Sequence, residues 1–473
     1  MICDNNATIK RRELLTQIAK LCLDQSLQAE IDDLPLKRFP KNSQTTRCCV
    51  HAARAIVRQR LIAMMGFSVE QDDEKKALSA YAQDALKRDK VEGTILTVID
   101  NGCSACVQAN YFVTNTCRGC LARPCSMNCP KDAISFVNGQ ALIDSKACVN
   151  CGRCQKVCPY HAIVYVPIPC EEACPVGAIM KDETGKEYID YNKCIYCGKC
   201  SRACPFGAIM EKSQIIDIIQ QLKTKNPVIA MIAPAIIGQF GGKLNQLVSA
   251  LLKLGFSEVV EVARGAEITV AKEAEEFIER ISQGDQFMTT SCCPAYTEVV
   301  RKHIPGLKKH VSDTKTPLHY TGEMVRNNNP EAITVFLSPC FAKRKEAIFD
   351  DYVDFVLTFE ELGALFIAAD IDVLDCAETP LDVEAKISGR RFPVVGGVAK
   401  SVKQAIGDRV QCNEVIINGV TKKELNLLKA YARGSAPGNL VEVMACEGGC
   451  IAGPGVISHP KVSKGKIDAM EKE

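Results

Sequence analysis

The chain carries the stretch CVNCGRCQKVCP at residues 148–159. Its cysteines follow the spacing C-x2-C-x2-C-x3-C-P, in which a short loop wraps three thiolates around an iron–sulfur cluster and the fourth ligates a second cluster. Soft, negatively charged sulfur suits iron. The same run recurs at residues 194–205, and residues 117–130 repeat it with two extra residues in one gap. The sequence therefore predicts iron–sulfur modules in the middle of the chain.

The composition points to a reducing compartment and excludes several classes of protein. The 473 residues include 27 cysteines and no tryptophan. Cysteines in such a rhythm indicate metal ligands rather than disulfides. Lysine and arginine total 58 against 56 acids, a formal net charge of +2, which argues against a nucleic-acid partner held by a basic field. No apolar run reaches the length of about 18 residues needed to span a membrane, and the first residues lack a secretory signal. We therefore expect a cytoplasmic protein without a membrane or nucleic-acid partner.

The ligand exchange between neighbouring runs predicts how the middle cysteines are shared. The run at 194–205 has only Cys170 and Cys174 close before it, so we expect its missing ligands at Cys103 and Cys106. One ferredoxin-like module would then be inserted into another. The predicted sets are Cys117, Cys120, Cys125 and Cys158; Cys129, Cys148, Cys151 and Cys154; Cys174, Cys194, Cys197 and Cys200; and Cys103, Cys106, Cys170 and Cys204. Four 4Fe–4S clusters result. The alternative is three clusters, with Cys103 and Cys106 free or binding zinc.

The hydrophobic pattern divides the chain into three regions. We predict a helical region at 1–95, a polyferredoxin domain at 96–212 and an α/β domain at 213–473. In the first region, a loop at 33–44 would precede a helix at 47–65 carrying Cys48 and Cys49, interpreted as small packed residues, with a redox or ligand pair as the alternative. In the third region, apolar strands alternate with helices, which predicts parallel sheets flanked by helices. The predicted strands are 228–233, 258–262, 333–337, 354–357, 393–395 and 440–444.

Three cysteine motifs follow predicted strands of the α/β region. They read TSCCPAY at 290–296, SPCFAKRKE at 338–346 and MACEGGCIAG at 444–453. Ligands of open α/β sheets bind at the carboxyl ends of the strands. Four thiolates from three distant loops can therefore close a further cubane between two lobes: Cys293, Cys340, Cys446 and Cys450.

These motifs resemble the signatures of the FeFe hydrogenases, T-S-C-C-P-G-W, M-P-C-x2-K-x2-E and M-A-C-x-G-G-C-x-x-G, in their order. The resemblance covers about residues 95–460. It implies an H-cluster, which is a 4Fe–4S cubane bridged by one cysteine to a di-iron unit carrying CO, cyanide and azadithiolate, and which external maturation proteins supply. By matching position, Cys450 would be the bridging ligand, Cys292 the proton-passing thiol and Lys343 the partner of a cyanide. The second motif also supplies Ser338, Pro339 and Glu346, and the loop Ala233, Pro234 and Ala235 would line the di-iron pocket.

The resemblance also implies a proton route and an activity. In the family the route runs through two glutamates and then a serine to the cysteine, which match Glu273, Glu276 and Ser312 here. The implied reaction is the reversible reduction of protons to H2. Because we find no flavin or NAD site in the chain, electrons are expected from a soluble carrier such as ferredoxin.

Some positions depart from the family pattern. Ala295 and Tyr296 replace Gly-Trp, Ser338 replaces methionine, and Pro454 replaces glycine, which resembles the less studied group B branch. Two rival interpretations remain: a non-catalytic, hydrogenase-like iron–sulfur assembly protein, and a hydrogen sensor. Cys292 and Lys343 favour the enzyme, because the assembly proteins need neither.

Overall fold

The computed structural model describes residues 5–103, 106 and 110–471. The first four residues of the predicted helical region therefore lie outside the described residues. The helices of that region are α1 (Asn6–Leu23), α2 (Leu27–Glu30), α3 (Leu34–Arg38), α4 (Val50–Met64) and α5 (Leu78–Lys87). The Asn5 side chain caps α1 by accepting a hydrogen bond from the Thr8 N–H at 2.9 Å, which satisfies one of the free donors of the first turn.

The cysteine-rich region consists of short strands and helices. In chain order these are β1 (Leu96–Val98), α6 (Asp100–Cys103), β2 (Tyr111–Val113), α7 (Pro124–Met127), β3 (Ile134–Val137), β4 (Gln140–Ile143), α8 (Arg153–Val157), β5 (Ile163–Tyr165), α9 (Pro169–Ala173), β6 (Ile179–Lys181), β7 (Glu187–Ile189), α10 (Lys199–Ala203) and β8 (Ile209–Glu211). The antiparallel pairs are β2 with β5, β3 with β4, β6 with β7, and β1 with β8. Because β1 pairs with β8, the first and last strands of this region lie side by side, and the other six strands come between them in the sequence. We call residues 110–166 the inserted module, and residues 96–103, 106 and 167–212 the outer module.

The remaining residues form two parallel sheets with helices around them. Their elements are α11 (Ile215–Leu222), β9 (Val228–Ile232), α12 (Leu244–Leu254), β10 (Glu258–Glu261), α13 (Val262–Ser282), β11 (Met288–Thr289), α14 (Pro294–His303), α15 (Pro317–Asn328), β12 (Ile333–Ser338), α16 (Ala342–Ala347), β13 (Phe355–Thr358), α17 (Phe359–Ala368), α18 (Ile387–Arg390), α19 (Gly397–Ile406), β14 (Glu414–Asn418), α20 (Lys422–Tyr431), β15 (Leu440–Met444) and α21 (Pro460–Met470). One sheet has the order β10-β9-β12-β13 and the other the order β11-β15-β14. The predicted mixed α/β architecture with parallel sheets is confirmed.

Burial explains why these strands lie where they do. Every residue of β9 and of β15 is buried, as expected for a central strand covered on both faces. A single hydrophobic core joins the N-terminal helices, the outer module and the first sheet. Helix α1 packs on α17, where Arg12 Nε lies 3.1 Å from Glu360 Oε1. None of the helices in the described part of the chain is long and apolar enough to cross a membrane.

Four local predictions were wrong. The expected loop at 33–44 contains α3, and the second helix begins at Val50 rather than at residue 47. Cys48 and Cys49 are consequently exposed and lie outside the helix, with their sulfurs 3.9 Å apart, so they are not packed residues. Residues 393–395 form only an isolated bridge between Val394 and Gly449, because proline lacks the N–H that a strand ladder needs.

Candidate iron–sulfur and catalytic centre

The three late cysteine motifs meet at one cavity between the two parallel sheets. Each follows the carboxyl end of a strand: β11 leads to the first motif, β12 to the second and β15 to the third. The empty volume of the cavity is about 850 Å³, including the part that is open to solvent. Its walls include all the residues predicted for the cubane, the shuttle thiol, the cation and the pocket loop: Cys293, Cys340, Cys446, Cys450, Cys292, Lys343, Ala233, Pro234, Ala235, Ser338 and Pro339.

The third motif can approach the cavity because of its glycines. Gly449 has φ of 90°, in the left-handed region, and a Cβ there would lie 2.3 Å from the Pro393 carbonyl oxygen. A Cβ on Gly453 would lie 2.6 Å from the Pro339 carbonyl oxygen. A side chain at either position would therefore push apart the loops that carry the cysteines.

The positions that depart from the family pattern have clear places in the structure. The Ser338 hydroxyl accepts a hydrogen bond from the Cys340 N–H at 3.2 Å, so it fixes the loop of the second motif. Tyr296 is fully buried and its hydroxyl lies 2.7 Å from Thr289 Oγ1, while Ala295 lines the cavity. Pro454 lies against Gly198 of the outer module, where an added Cβ would be 2.6 Å from the proline Cβ.

The cavity thiols suit a bound cationic centre. Burial, reinforced by the charge of Cys293, raises the pKa of Cys340 to about 12. Burial likewise raises the pKa of Cys446 and of Cys450, and Cys340 and Cys293 add to it. Four thiolates this close in a dry cavity need positive charge among them. Across the described residues, no three His, Cys, Asp or Glu side chains are placed to bind a single metal ion. A cubane differs, because each thiolate binds a different iron and the sulfurs lie further apart.

Lys343 provides a buried cation facing the cavity. Its Nζ lies 2.7 Å from Glu346 Oε2, and this ion pair is the one close polar contact of the ammonium among the described side chains. Burial opposes its charge, yet Glu346 and the Cys340 and Cys292 thiols outweigh burial and raise the pKa of Lys343. Glu346 is in turn held by the Thr316 hydroxyl. Because an ammonium has three donors and Glu346 occupies one, the others are available to an acceptor inside the cavity, which fits an anionic group there.

Two carboxylates on α13 lead from this cavity toward the surface. Glu273 is completely buried, and its Oε1 accepts from the Ser291 N–H at 3.1 Å and from the Ser291 hydroxyl at 3.4 Å. Burial raises the pKa of Glu273 to about 7. Its other oxygen, Oε2, has no partner among the described atoms. This carboxyl can therefore hold or release a proton near neutral pH.

Glu276 lies one turn further along α13 and remains ionised. Its Oε2 accepts from the Ser312 hydroxyl at 2.5 Å, and its Oε1 lies 2.7 Å from Arg280 Nη2. Burial opposes ionisation, but the hydrogen bonds from Ser312, Asp313 and Thr314, together with Arg280, lower the pKa of Glu276.

The order of these groups differs from the prediction, which placed the serine after both glutamates. Ser312 donates to Glu276, and it is close enough to Glu273 to lower the pKa of that carboxyl, so the serine lies between the two. Sequence reasoning missed Ser291, the residue next to Glu273, although it belongs to the first cysteine motif. Burial raises the pKa of Cys292, and the charge of Glu273 raises it further. The Glu273 carboxyl is therefore near that thiol.

The middle cysteines also gather in groups. Cys117, Cys120, Cys125 and Cys158 line one cavity in the inserted module. Cys103, Cys106, Cys170 and Cys204 line another, in the outer module. Cys200 lies close enough to Cys197, Cys194 and Cys174 for their charges to raise its pKa beyond the effect of burial. Cys148 and Cys151 do the same for Cys154. No described contact joins Cys129 to its predicted set.

A fourfold repeat that sequence reasoning missed orients the last cysteine of each run. Each reads C-P-x-x-A, and the alanine N–H donates to the cysteine sulfur. The donor–acceptor pairs are Ala133 to Cys129 at 3.3 Å, Ala162 to Cys158 at 3.4 Å, Ala178 to Cys174 at 3.2 Å and Ala208 to Cys204 at 3.4 Å. An N–H aimed at sulfur stabilises the thiolate, as a cluster ligand requires.

Known protein families match the middle and the last part of the chain. Residues 226–454 match the family described as "Iron only hydrogenase large subunit, C-terminal domain". Residues 187–210 match a 4Fe-4S binding domain, and residues 117–168 match the LdpA Fe-S cluster-binding domain. The protein is therefore an iron–sulfur protein that combines cluster-binding modules with an α/β domain.

Two curated hydrogenases are similar over most of the chain. Iron hydrogenase 1 of Clostridium pasteurianum is 26% identical over 403 residues, covering 72% of this chain and 69% of its own length. The periplasmic [Fe] hydrogenase large subunit of Nitratidesulfovibrio vulgaris is 27% identical, covering 72% and 90%. Within the iron–sulfur proteins, the chain is thus hydrogenase-like.

A third relative is named for iron–sulfur cluster assembly and not as a hydrogenase. The cytosolic Fe-S cluster assembly factor NAR1 of Eremothecium gossypii is 33% identical over 137 residues, covering 28% of this chain and 30% of its own length. Among solved structures, the [FeFe]-hydrogenase HydA1 from Chlamydomonas reinhardtii, variant E141A, matches with a TM-score of 0.46 and 21% identity, covering 55% of this chain and 88% of that one.

Proposed function

We propose that the protein is an FeFe hydrogenase that catalyses the reversible reduction of protons to H2. Electrons would pass between a soluble carrier, ferredoxin or a similar protein, and the catalytic cavity. The observation that carries this proposal is the convergence of four thiols, a fifth thiol and the buried ammonium of Lys343 on one apolar cavity. We place the protein in the cytoplasm, because thiolates at cluster spacing need a reducing environment, and in the group B branch, on its departures from the family pattern.

The cavity residues fit the H-cluster. Cys293, Cys340, Cys446 and Cys450 would hold its cubane, with Cys450 as the bridging ligand. When bound, the cofactor supplies the iron site at which protons and electrons combine. The buried ammonium of Lys343 would bind a cyanide, since Glu346 occupies only one of its three donors. The turn Pro234–Ile236, which starts after Ala233, would close the pocket and exclude water. External maturation proteins would deliver the di-iron unit.

Cys292 would hold the proton at the cavity. Its thiol lines the cavity beside Cys293 but is not one of the four ligands we assign. A neutral thiol can donate its proton and recover another from a nearby carboxyl. Glu273 is that carboxyl, because it lies close enough to affect the pKa of Cys292 and can itself be protonated near neutral pH.

The chain would resupply this proton through alternating carboxylates and hydroxyls. Glu276 is partly exposed and would receive the proton near the surface, where Arg280 orients it. The Ser312 hydroxyl, 2.5 Å from Glu276, would pass it to Glu273. Ser291 would hold Glu273 in place with its N–H and its hydroxyl. Each of these groups can accept one proton while releasing another.

The cysteine groups of the middle region would hold four accessory 4Fe–4S clusters in the sets given above, three if Cys103 and Cys106 serve otherwise. Cys197 of the outer module lines the catalytic cavity as well, so its cluster would be next to the H-cluster. Electrons could then pass from the inserted module through the outer module to the cavity. A fully loaded chain would contain about 22 iron atoms.

Maturation of the recombinant chain with the di-iron unit tests the proposal. We expect infrared bands of CO and cyanide, and H2 production from a reduced carrier. In Cys292→Ala the bands should persist while H2 production falls by a factor of roughly 100 or more, as expected for a proton-transfer group. Cys412→Ala, a partly buried cysteine outside every motif, is the control and should retain activity. A matured chain without those bands would contradict the proposal.

The second candidate function is a non-catalytic role in iron–sulfur assembly, supported by the similarity to NAR1 over 137 residues. Such a protein would bind the cubanes but no di-iron unit. A parent chain that contains iron but shows no CO or cyanide bands would favour this role. So would a Lys343→Met variant with the same iron content as the parent. Under the hydrogenase proposal, Lys343→Met should weaken retention of the di-iron unit, because the variant removes the only cation that faces the cavity among the described side chains.

A further inference from the structure

Helix α4 of the N-terminal region places an arginine beside the cavity of the outer module. Arg60 Nη2 donates to the Phe206 carbonyl oxygen at 2.8 Å, two residues after Cys204. Arg60 and Cys204 also line a common cavity on the other side of that cysteine. The guanidinium is therefore fixed against the segment that carries Cys204. This is the last ligand of the cluster predicted on Cys103, Cys106, Cys170 and Cys204, which we call the outer cluster.

A second guanidinium from the same region lies close by. Arg47 Nη2 donates to the Gly102 carbonyl oxygen at 3.2 Å, directly before Cys103, and its Cζ lies 5.2 Å from the centre of the Phe206 ring. Arg47 and Arg60 therefore contact two of the three chain segments that bring cysteines to this cavity, those of Cys103 and Cys204.

Neither guanidinium is neutralised by the protein. Within the described ranges, neither Arg60 nor Arg47 has a carboxylate within 4.0 Å. Burial, and then the nearby Arg47 and Arg11, lower the pKa of Arg60 to about 10, while Cys204 opposes this effect. Arg60 is still charged at neutral pH. The anion that faces this unpaired charge is the thiolate of Cys204.

The lysine near this cavity is already paired. Glu187 lines the cavity and its Oε1 lies 2.6 Å from Lys181 Nζ, while Glu171, next to Cys170, adds a second carboxyl beside Glu187. Lys181 is therefore not free to balance a negative cluster. Among the described side chains, Arg60 and Arg47 are the cations near this cavity that have no carboxylate partner.

We propose that Arg60, supported by Arg47, is the counter-charge of the cluster held by Cys103, Cys106, Cys170 and Cys204, and that it raises the reduction potential of this cluster. The inference rests on the cluster assignment made under the proposed function. Reduction adds one electron to a cluster that is already negative, and a fixed positive charge in a poorly solvated site stabilises the reduced form more than the oxidised form. The N-terminal region would thereby make the outer cluster a better electron acceptor.

The test measures the midpoint potentials of the iron-loaded chain by EPR-monitored redox titration. Cys170→Ser identifies the outer cluster by the signal and the iron that it removes. In Arg60→Gln that signal should titrate at a more negative potential, with at least a tenfold change in its reduction equilibrium, about 59 mV for one electron. Arg60→Lys keeps the charge and should restore most of the parent potential.

Arg54→Gln is the matched control. Arg54 lies on the same helix and also donates to a phenylalanine carbonyl, that of Phe39, at 2.8 Å. Its removal should leave all midpoints unchanged. An unmoved potential in Arg60→Gln, or an equal shift in Arg60→Lys, would contradict the inference alone. If Cys170→Ser lost neither iron nor signal, the cluster assignment would fail and the inference with it.

Discussion

The inserted and outer modules share one cysteine rhythm but are stabilised differently. The inserted module has its own small cluster of buried residues, which among those described are Cys125, Ile134, Ala141, Cys154 and Ile163. Two of the five are predicted ligands. The buried cysteines of the outer module instead belong to the core that continues into the N-terminal helices and the first parallel sheet.

Polar contacts strengthen this difference. Lys302 Nζ on α14 donates to the carbonyl oxygens of Tyr191 at 2.9 Å and Cys194 at 2.5 Å. Arg202 Nη1 of the outer module donates to the carbonyl oxygen of Ala452, within the third motif, at 2.8 Å. The outer module is thus built into the α/β domain, whereas the inserted module must rely on its clusters. Similar sequence motifs therefore do not imply similar stability.

Iron removal should produce the largest contrast between the two modules. Five buried residues are too few to hold a fold of this size without metal. In iron-free chain we expect proteases to cut within residues 111–165 about 100-fold faster than in loaded chain, which corresponds to about 2.7 kcal/mol of lost stabilisation. Limited proteolysis with mass spectrometry measures this. Equal protection of the inserted module with and without iron would show that its small core suffices.

Breaking the join between the outer module and the α/β domain should lower the stability of the whole chain. The buried Arg344 donates to the Lys212 carbonyl oxygen at 2.6 Å and pairs with the fully buried Glu361. Arg344→Met leaves that carboxylate unpaired, which costs about 3–5 kcal/mol. The measurement is the unfolding free energy in urea. The exposed Arg153 of the inserted module provides the control, and Arg153→Met should change it by less than about 0.5 kcal/mol.

The pH dependence of stability should also distinguish the inserted module from the α/β domain, because both acids of the inserted module, Asp132 and Asp144, are exposed. The folded pKa of Glu273 is about 7 against 4.5 for an ordinary glutamate. Between these values the folded chain binds more protons than the unfolded chain, so stability falls as the pH rises toward 7. The loss amounts to about 3 kcal/mol.

Glu273→Gln should remove this loss, so the variant gains stability over the parent at pH 8 but not at pH 4.5. Urea unfolding of the iron-free chain at both pH values gives the difference. Glu279→Gln on the exposed part of the same helix is the control. A parallel pH dependence in parent and Glu273→Gln would show that Glu273 titrates normally.

The sequence predicted the elements whose pattern is local and strong. The apolar run of β15 was placed at both ends as the structure has it, and β9 differed by one residue. Strand β14 was missed, because as an edge strand it alternates exposed and partly buried residues and lacks a continuous apolar run. Strand β11, with two residues, is too short to give a periodic signal.

The candidate site was predictable as far as the motifs extend. The four cavity cysteines follow from the three motifs, Cys292 and Lys343 follow from the family resemblance, and all six line one cavity in the structure. Ser291 and the order of Ser312 were not predictable, because a hydrogen bond between α13 and two remote loops depends on tertiary packing. The unpaired Arg60 is a similar case, since its lack of a carboxylate is visible only in three dimensions.

The smallest effect should come from an apolar side chain on the surface of the inserted module. Leu121, next to Cys120, is 99% exposed, so it contributes almost no burial to the fold. Leu121→Ala should change the unfolding free energy of the iron-loaded chain by less than about 0.5 kcal/mol. The same truncation at Leu337 of β12, which is completely buried, should cost about 2–5 kcal/mol. Both variants remove the same atoms. The ratio of their effects therefore measures how much more the side chain contributes in the core of the α/β domain than on the surface of the inserted module. A large loss at Leu121 would mean that the side chain is covered in solution, for example by a second copy of the chain, and that the inserted module does not stand alone.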